Sequence, residues 1–207
     1  IFLVITPMSS AYTDFENDFS EAYSPEELTV LERWVQGGGS LIVFSEHFPF
    51  DIAVSGLLET FGISTSIGVT IDHDSSNESA GEIVFEGKRL DRRHPIVAGK
   101  RSVTKVASYG GSALRGDGYT NIMKLSDHSM NISRNWMGVE GGPLGRGNSQ
   151  GLAGFYGDGR IAAFGDSNGF AAMIFEDDIS KDFVGMNDKT YDWRNFVLNT
   201  FDWLSGS

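Results

Sequence analysis

Cysteine is absent from this chain of 207 residues. Disulfide bonds, zinc sites built on thiolates and cysteine nucleophiles are therefore excluded. Positive charge is scarce as well, because 16 lysines and arginines stand against 28 aspartates and glutamates, giving a formal net charge of −12. An acidic surface repels the phosphates of nucleic acids and anionic membranes, so we expect neither as a partner.

Long hydrophobic runs are also missing. No run approaches the roughly 20 apolar residues that span a bilayer, and the run over residues 1–5 is only as long as a strand. Because this run opens the sequence without a Met or a polar lead-in, we expect the chain to be an N-terminally truncated part of a longer protein. The absence of cysteine does not decide the compartment, since exported bacterial proteins are often cysteine-free, and our expectation is an exported or extracellular location.

The chain does contain a strand, a helix and a second strand near its N-terminus. Residues 1–5 and 41–44 are continuous apolar runs, as expected of strands buried on both faces of a parallel sheet. Between them, Ser24 and Glu27 have the spacing of a capping box around Pro25, which predicts the start of a helix. This order of elements predicts a right-handed βαβ unit.

The rest of the chain predicts further elements but no linker between domains. We expect a helix over 51–61, a strand over 63–71, a hairpin around 157–159, an acidic loop over 175–189 and a helix over 191–204. A glycine-rich stretch over 138–151 is the best candidate for a mobile loop. The predicted fold is a single α/β domain over 1–207. It is flavodoxin-like, with a mostly parallel sheet flanked by helices and a small antiparallel insertion at about 71–132.

Several short segments resemble a known family. They are SPEELTVL at 24–31, WVQGGG at 34–39, LIVF at 41–44, LLETFGI at 57–63, HPIVAG at 94–99, GRIAAFGDS at 159–167 and NFVLNTFDWL at 195–204. Together they resemble the class I glutamine amidotransferase-like domains found beside gliding-motility and intraflagellar transport proteins. The segment that begins at Gly159 is also similar to one in the C-terminal region of site-1-type subtilases.

The resemblance implies a flavodoxin-like fold, and it also shows a departure at the catalytic position. Catalytic members of the family carry a cysteine nucleophile on the turn after the strand equivalent to 41–44. Here that turn reads Ser45, Glu46 and His47, so glutamine hydrolysis by that route is excluded. Relatives that lack the cysteine usually act as binding or scaffold domains, which is what the resemblance implies for this chain.

Polar side chains follow two predicted strands, at the edge where an open α/β sheet binds ligands. They are Ser45, Glu46 and His47 in one turn and Asp166, Ser167 and Asn168 in the other. All but Asn168 are catalytic candidates, since a serine hydroxyl beside a histidine base is a possible nucleophile. The competing interpretation is that these side chains cap the segments that follow, because residues two apart rarely meet and the glycines of a nucleophile elbow are missing.

Other polar or aromatic residues suggest weaker sites. Trp136 precedes the glycine-rich stretch and is a candidate for stacking on sugar rings. A cluster of carboxylates that suits calcium is formed by Glu176, Asp177, Asp178 and Asp182. The only basic cluster either binds an anionic partner or neutralises acidic neighbours, and it comprises Arg89, Arg92, Arg93, Lys100, Arg101 and Lys105.

Three hypotheses of function result. The first is a non-catalytic domain of a larger, exported protein, which binds another protein or a small-molecule or carbohydrate ligand. The second is a hydrolase or carbohydrate-active enzyme that uses the cleft at the strand ends. The third is an accessory domain stabilised by calcium, the one cofactor that the sequence suggests.

Overall fold

The computed structural model of the chain describes residues 1–7, 20–74, 82–132, 142–176 and 180–207. Within these ranges the helices are α1 Pro25–Gln36, α2 Phe50–Ala53, α3 Ser55–Thr60, α4 Pro95–Ala98 and α5 Trp193–Ser205. The strands are β1 Phe2–Val4, β2 Ser40–Phe44, β3 Ile63–Thr65, β4 Val69–Ile71, β5 Glu82–Glu86, β6 Lys105–Tyr109, β7 Leu114–Gly116, β8 Thr120–Lys124, β9 Met130–Ile132, β10 Gly142–Pro143, β11 Ser149–Tyr156, β12 Gly159–Phe164, β13 Ala172–Glu176 and β14 Lys181–Gly185. None of these helices has the length and apolar content needed to cross a membrane.

The main sheet has the strand order β1-β2-β12-β11-β7-β3, and β8 also pairs with β11. The pairs β1–β2 and β2–β12 are parallel, whereas the pairs β11–β12, β11–β7, β11–β8 and β3–β7 are antiparallel. The predicted α/β class is confirmed, but the expectation of a mostly parallel sheet is wrong. The reason is the short turn at Gly157 and Asp158, because so short a connection can join only antiparallel neighbours.

The predicted βαβ unit is confirmed at the N-terminus. Helix α1 begins at a complete capping box, in which the Ser24 hydroxyl accepts from the backbone N–H of Glu27 and the Glu27 carboxylate accepts from that of Ser24. The chain then enters β2, which lies parallel to β1. Local signals in the sequence are therefore sufficient to place these three elements.

Strand β2 lies between two hydrophobic clusters. Ile42 and Phe44 face one cluster, which includes α5, and Leu41 and Val43 face the other, which includes α1 and α3. All five residues of β2 are buried. Helices therefore cover both faces of the parallel part of the sheet, as the two-sided apolar sequence of β2 requires.

Two other predicted segments differ from the structure. The predicted strand over 63–71 is two strands in different sheets, because Ile67 and Gly68 have φ angles of 46° and 144° and turn the chain between β3 and β4. The predicted acidic loop instead contains β13 and β14, which form an antiparallel hairpin. Within the range of the predicted antiparallel insertion, β5 and β6 form a separate two-stranded antiparallel sheet, but β7 and β8 join the main sheet.

Candidate functional site

The two turns predicted to form a site meet at one edge of the main sheet. The backbone N–H of Ser45 donates to the carbonyl of Phe164 at 2.9 Å, and that of Ser167 donates to Glu46 Oε1 at 2.6 Å. Because β2 and β12 are parallel neighbours, their carboxyl ends lie side by side. The structure therefore brings together the turns 45–47 and 166–168.

A third segment, which the sequence did not indicate, completes this edge. The backbone N–H of Ser112 donates to the carbonyls of Glu46 at 3.0 Å and Gly165 at 3.1 Å. A Cβ added at Gly165 would lie 2.1 Å from the Ser112 carbonyl oxygen, and one added at Gly111 would lie 2.1 Å from the Gly165 carbonyl oxygen. Glycine is required at both positions because the two backbones touch.

The Ser45 hydroxyl takes part in a chain of hydrogen bonds to the backbone. Thr65 Oγ1 donates to Ser112 Oγ at 2.9 Å, Ser112 Oγ and Ser45 Oγ are 2.6 Å apart, and Ser45 Oγ donates to the Phe164 carbonyl at 3.4 Å. His47 is occupied elsewhere, since its Nδ1 donates to the adjacent Phe48 carbonyl at 2.7 Å. Among the described residues, Ser45 and His47 form no hydrogen bond with each other, so the pair lacks the contact that a nucleophile and its base require.

The Glu46 and Asp166 carboxylates hold the turns in shape. Glu46 is 6% exposed and Asp166 is 4% exposed. Asp166 accepts three N–H bonds, from the backbone of Tyr109 at 2.7 Å, the backbone of Asn168 at 3.0 Å and the side chain of Asn168 at 2.7 Å. Burial, aided by the negative charge of Glu46, nevertheless raises the pKa of Asp166 to about 7.

Asp51 is a third buried carboxyl near this edge, and sequence reasoning missed it. Its oxygens accept from the backbone N–H groups of Ile52 at 2.8 Å and Gly68 at 2.6 Å. Burial raises the pKa of Asp51 to about 6, although those two bonds and the charge of His47 act in the opposite direction. Asp51 therefore ties the start of α2 to the turn that separates β3 from β4.

We expect Asp166 and Asp51 together to lower the free energy of unfolding as the pH rises from about 4 to about 7. Asp166 and Asp51 have pKa values above the ordinary 3.8, so protonation favours the folded state and ionisation disfavours it. Asp166→Asn should flatten this slope, because asparagine does not ionise. Urea unfolding at several pH values measures the slope directly.

The matched control is Asp158→Asn, at an exposed turn position, which should leave the slope unchanged. Asp72 and Asp91 have lowered pKa values, so their effect is confined to pH below about 4. Burial lowers the pKa of His94 to about 4, so this side chain opposes the fall between pH 4 and about 6.5, and it does so equally in the wild type and in Asp166→Asn. Asp166→Asn also disturbs at least one of the three accepted N–H bonds at every pH, so the effect of the Asp166 pKa is measured by the pH slope and not by the absolute stability. An unchanged slope in this variant would contradict it.

The remaining predicted sites are only partly described. Trp136, Asp177 and Asp178 lie outside the described residues. Glu176 Oε2 lies 2.6 Å from the ammonium of Lys181, and Asp182 accepts from Ser180 Oγ at 3.2 Å. Within the described ranges, no group of three or more His, Asp or Glu side chains is arranged to hold a metal ion. Calcium binding at Glu176 and Asp182 stays a prediction.

The solved structures that resemble this chain share little sequence with it. The mmIFT52 N-terminal domain has a TM-score of 0.49 at 14% identity, covering 89% of this chain and 73% of that one. A protein described as ThuA-like from Bacteroides uniformis has a TM-score of 0.46 at 11% identity, with coverages of 90% and 66%. Another from Parabacteroides merdae has a TM-score of 0.44 at 18% identity, with coverages of 96% and 74%.

These likenesses concern the fold alone, and at such scores they carry no argument about function. No protein-family model matches the chain, and no curated protein sequence matches it. The comparisons give no support to the similarity with subtilases.

Proposed function

We propose that this chain is a non-catalytic binding domain whose site is the strand-end edge formed by turns 45–47 and 166–168. The observation that carries the proposal is the separation of Ser45 from His47. Each is already engaged, Ser45 with Ser112 and Phe164 and His47 with Phe48. This arrangement favours binding over nucleophilic catalysis. The resemblance to amidotransferase-like domains without the cysteine agrees with it.

The polar atoms that remain available at this edge indicate the class of ligand. His47 Nε2, Ser167 Oγ and Asn168 Oδ1 form no hydrogen bond with the described residues, and all three side chains are half-buried. They offer a hydroxyl, an amide oxygen and an imidazole nitrogen, a set that can both donate and accept. Such a set suits a small ligand rich in hydroxyl groups, and we propose a carbohydrate.

A binding titration with single substitutions tests this proposal. We expect saturable binding of one or more members of a panel of neutral mono- and oligosaccharides, measured by calorimetry. Ser167→Ala should weaken that binding about fivefold, the effect of losing roughly one hydrogen bond. Ser102→Ala is the matched control, because its side chain is exposed and far along the chain from both turns.

Two results would overturn the proposal. One is the absence of saturable binding across the panel. The other is binding that Ser167→Ala and His47→Gln both leave unchanged, because the ligand would then occupy another site. Neither variant removes a hydrogen bond to Asp166 or Glu46, and Ser167→Ala should keep the melting temperature of the wild type. His47→Gln loses the bond from Nδ1 to the Phe48 carbonyl, so its melting temperature is measured beside its affinity.

A carbohydrate-active enzyme is the second candidate, and one observation favours it. Two buried carboxylates lie together, and the pKa of Asp166 is raised to about 7, as expected of a general acid beside an ionised partner. Incubation of the protein with aryl glycosides decides between the two candidates. Turnover that is lost in both Glu46→Gln and Asp166→Asn would establish the enzyme and contradict the non-catalytic proposal.

A further inference from the structure

A polar cleft of about 480 Å³ lies at the end of β7 that is remote from Ser112. Its walls are the turn between β7 and β8, the segment after β5 and the backbone of Gly147. The charged and amide side chains that line it are Asp91, Arg93, Arg115, Asp117, Asn121 and Lys124. Three cations and two carboxylates thus surround a cavity in a chain whose formal net charge is −12.

One of the two carboxylates serves to fix two of the cations. Asp91 is buried, and both its oxygens accept from Arg93, from Nε at 3.0 Å and from Nη2 at 2.8 Å. The Lys124 ammonium lies 3.9 Å from the same carboxylate. These hydrogen bonds from Arg93 hold the pKa of Asp91 well below its ordinary value, so the anchor stays ionised at neutral pH.

The anchoring leaves Arg93 both ordered and accessible. Its side chain is 88% exposed although two of its nitrogens are bound to Asp91. A guanidinium held in one conformation loses less entropy when a ligand binds. Arg93 can therefore donate hydrogen bonds to a ligand from the N–H groups that Asp91 does not use.

Arg115 supplies the uncompensated charge. It is exposed on β7, and its guanidinium forms no hydrogen bond or ion pair within the part of the chain that the structure describes, whereas its backbone pairs with β3. Its guanidinium and that of Arg93 line the same cleft. A guanidinium group matches the planar, bidentate geometry of a carboxylate or phosphate.

We propose that this cleft binds the oxyanion of a small ligand, a phosphoryl or carboxylate group held by Arg93, Arg115 and Lys124. This inference does not rest on the function proposed for the strand-end edge. It also assigns a use to one member of the basic cluster seen in the sequence, whereas Arg89 and Arg101 neutralise Asp72 and Asp202.

The test is a calorimetric titration of the whole chain at low ionic strength. The probes are inorganic phosphate and glucuronate, with glucose as the neutral counterpart of glucuronate. We expect saturable binding of at least one anion at this cleft. Any binding of glucose belongs to the strand-end edge and should be the same in the wild type and in Arg115→Gln. Affinity should fall as sodium chloride is added, because an exposed charge interaction is screened. The anion that binds more tightly shows whether the oxyanion of the ligand is a phosphoryl group or a carboxylate.

Arg115→Gln should lower the affinity for the anion at least fivefold. It should leave the melting temperature unchanged, because the side chain contacts no partner that folding needs. Arg194→Gln on α5 is the matched control, since Arg194 is also exposed and does not line the cleft. Ser167→Ala should have no effect, which separates this site from the strand-end edge. Absence of saturable anion binding, or equal binding in Arg115→Gln and Arg194→Gln, overturns the proposal.

Discussion

Phe196→Ala is expected to lower the free energy of unfolding by about 3–5 kcal/mol, the usual cost of truncating a fully buried aromatic residue. Phe196 is completely inaccessible. Its ring lies 5.6 Å from that of Phe164, 6.1 Å from that of Phe170 and 5.2 Å from that of Trp193. Alanine would therefore leave a cavity between α5 and β12 that rings on three sides cannot fill without moving.

Urea unfolding followed by circular dichroism measures this effect. Leu198→Ala is the control on the same helix, because Leu198 is 38% exposed and its truncation should cost about 1 kcal/mol or less. Similar costs for the two variants would contradict the packing described here. Phe164 ends β12, so this core also supports the turn that begins at Gly165.

Gly165→Ala is expected to lower the free energy of unfolding by at least about 2 kcal/mol, in the upper part of the range for overpacked sites. The added methyl group would lie 2.1 Å from the Ser112 carbonyl oxygen. Backbone on both sides of this contact is fixed by hydrogen bonds, so relief requires the two turns to separate. Gly111→Ala tests the same contact from the other side and should have a comparable effect.

Gly142→Ala is the matched control, because a Cβ there has no atom within 4 Å. Its free energy of unfolding should stay within about 0.5 kcal/mol of the wild type. If Gly165→Ala and Gly111→Ala were both as stable as Gly142→Ala, the close approach of the two turns would be wrong. Failure of both variants to fold, with Gly142→Ala folding normally, is the extreme form of the expected result.

Elements marked by local chemistry were predictable from the sequence. The capping box at Ser24 and Glu27 places the start of α1, and the turn at Gly157 and Asp158 places the hairpin of β11 and β12. Both signals act within a few residues, where hydrogen bonds and turn geometry decide the conformation. The meeting of the two candidate turns could also be expected, because both follow strands that read as buried.

Features that depend on distant contacts were not predictable in the same way. The turn between β3 and β4 is held by the Asp51 carboxylate, which bonds the backbone N–H of Gly68. Ser112 reaches Ser45 across 67 residues of sequence, and nothing around Ser112 indicates that partnership. The antiparallel pairing of β11 with β7 and β8 also joins strands that no short turn connects, whereas the pairing of β11 with β12 follows from the local turn.

The burial of β2 has a consequence for local opening. Its side chains are covered on both faces, and β1 and β12 bond its two edges, so solvent can reach the edge that pairs with β12 only when the domain opens as a whole. Strand β1, in contrast, pairs only with β2 among the described residues and exposes Phe2 and Leu3. Fluctuations should therefore begin at β1 and spare β2 and β12. The turns that follow these two strands are thus anchored in the part of the molecule that opens last.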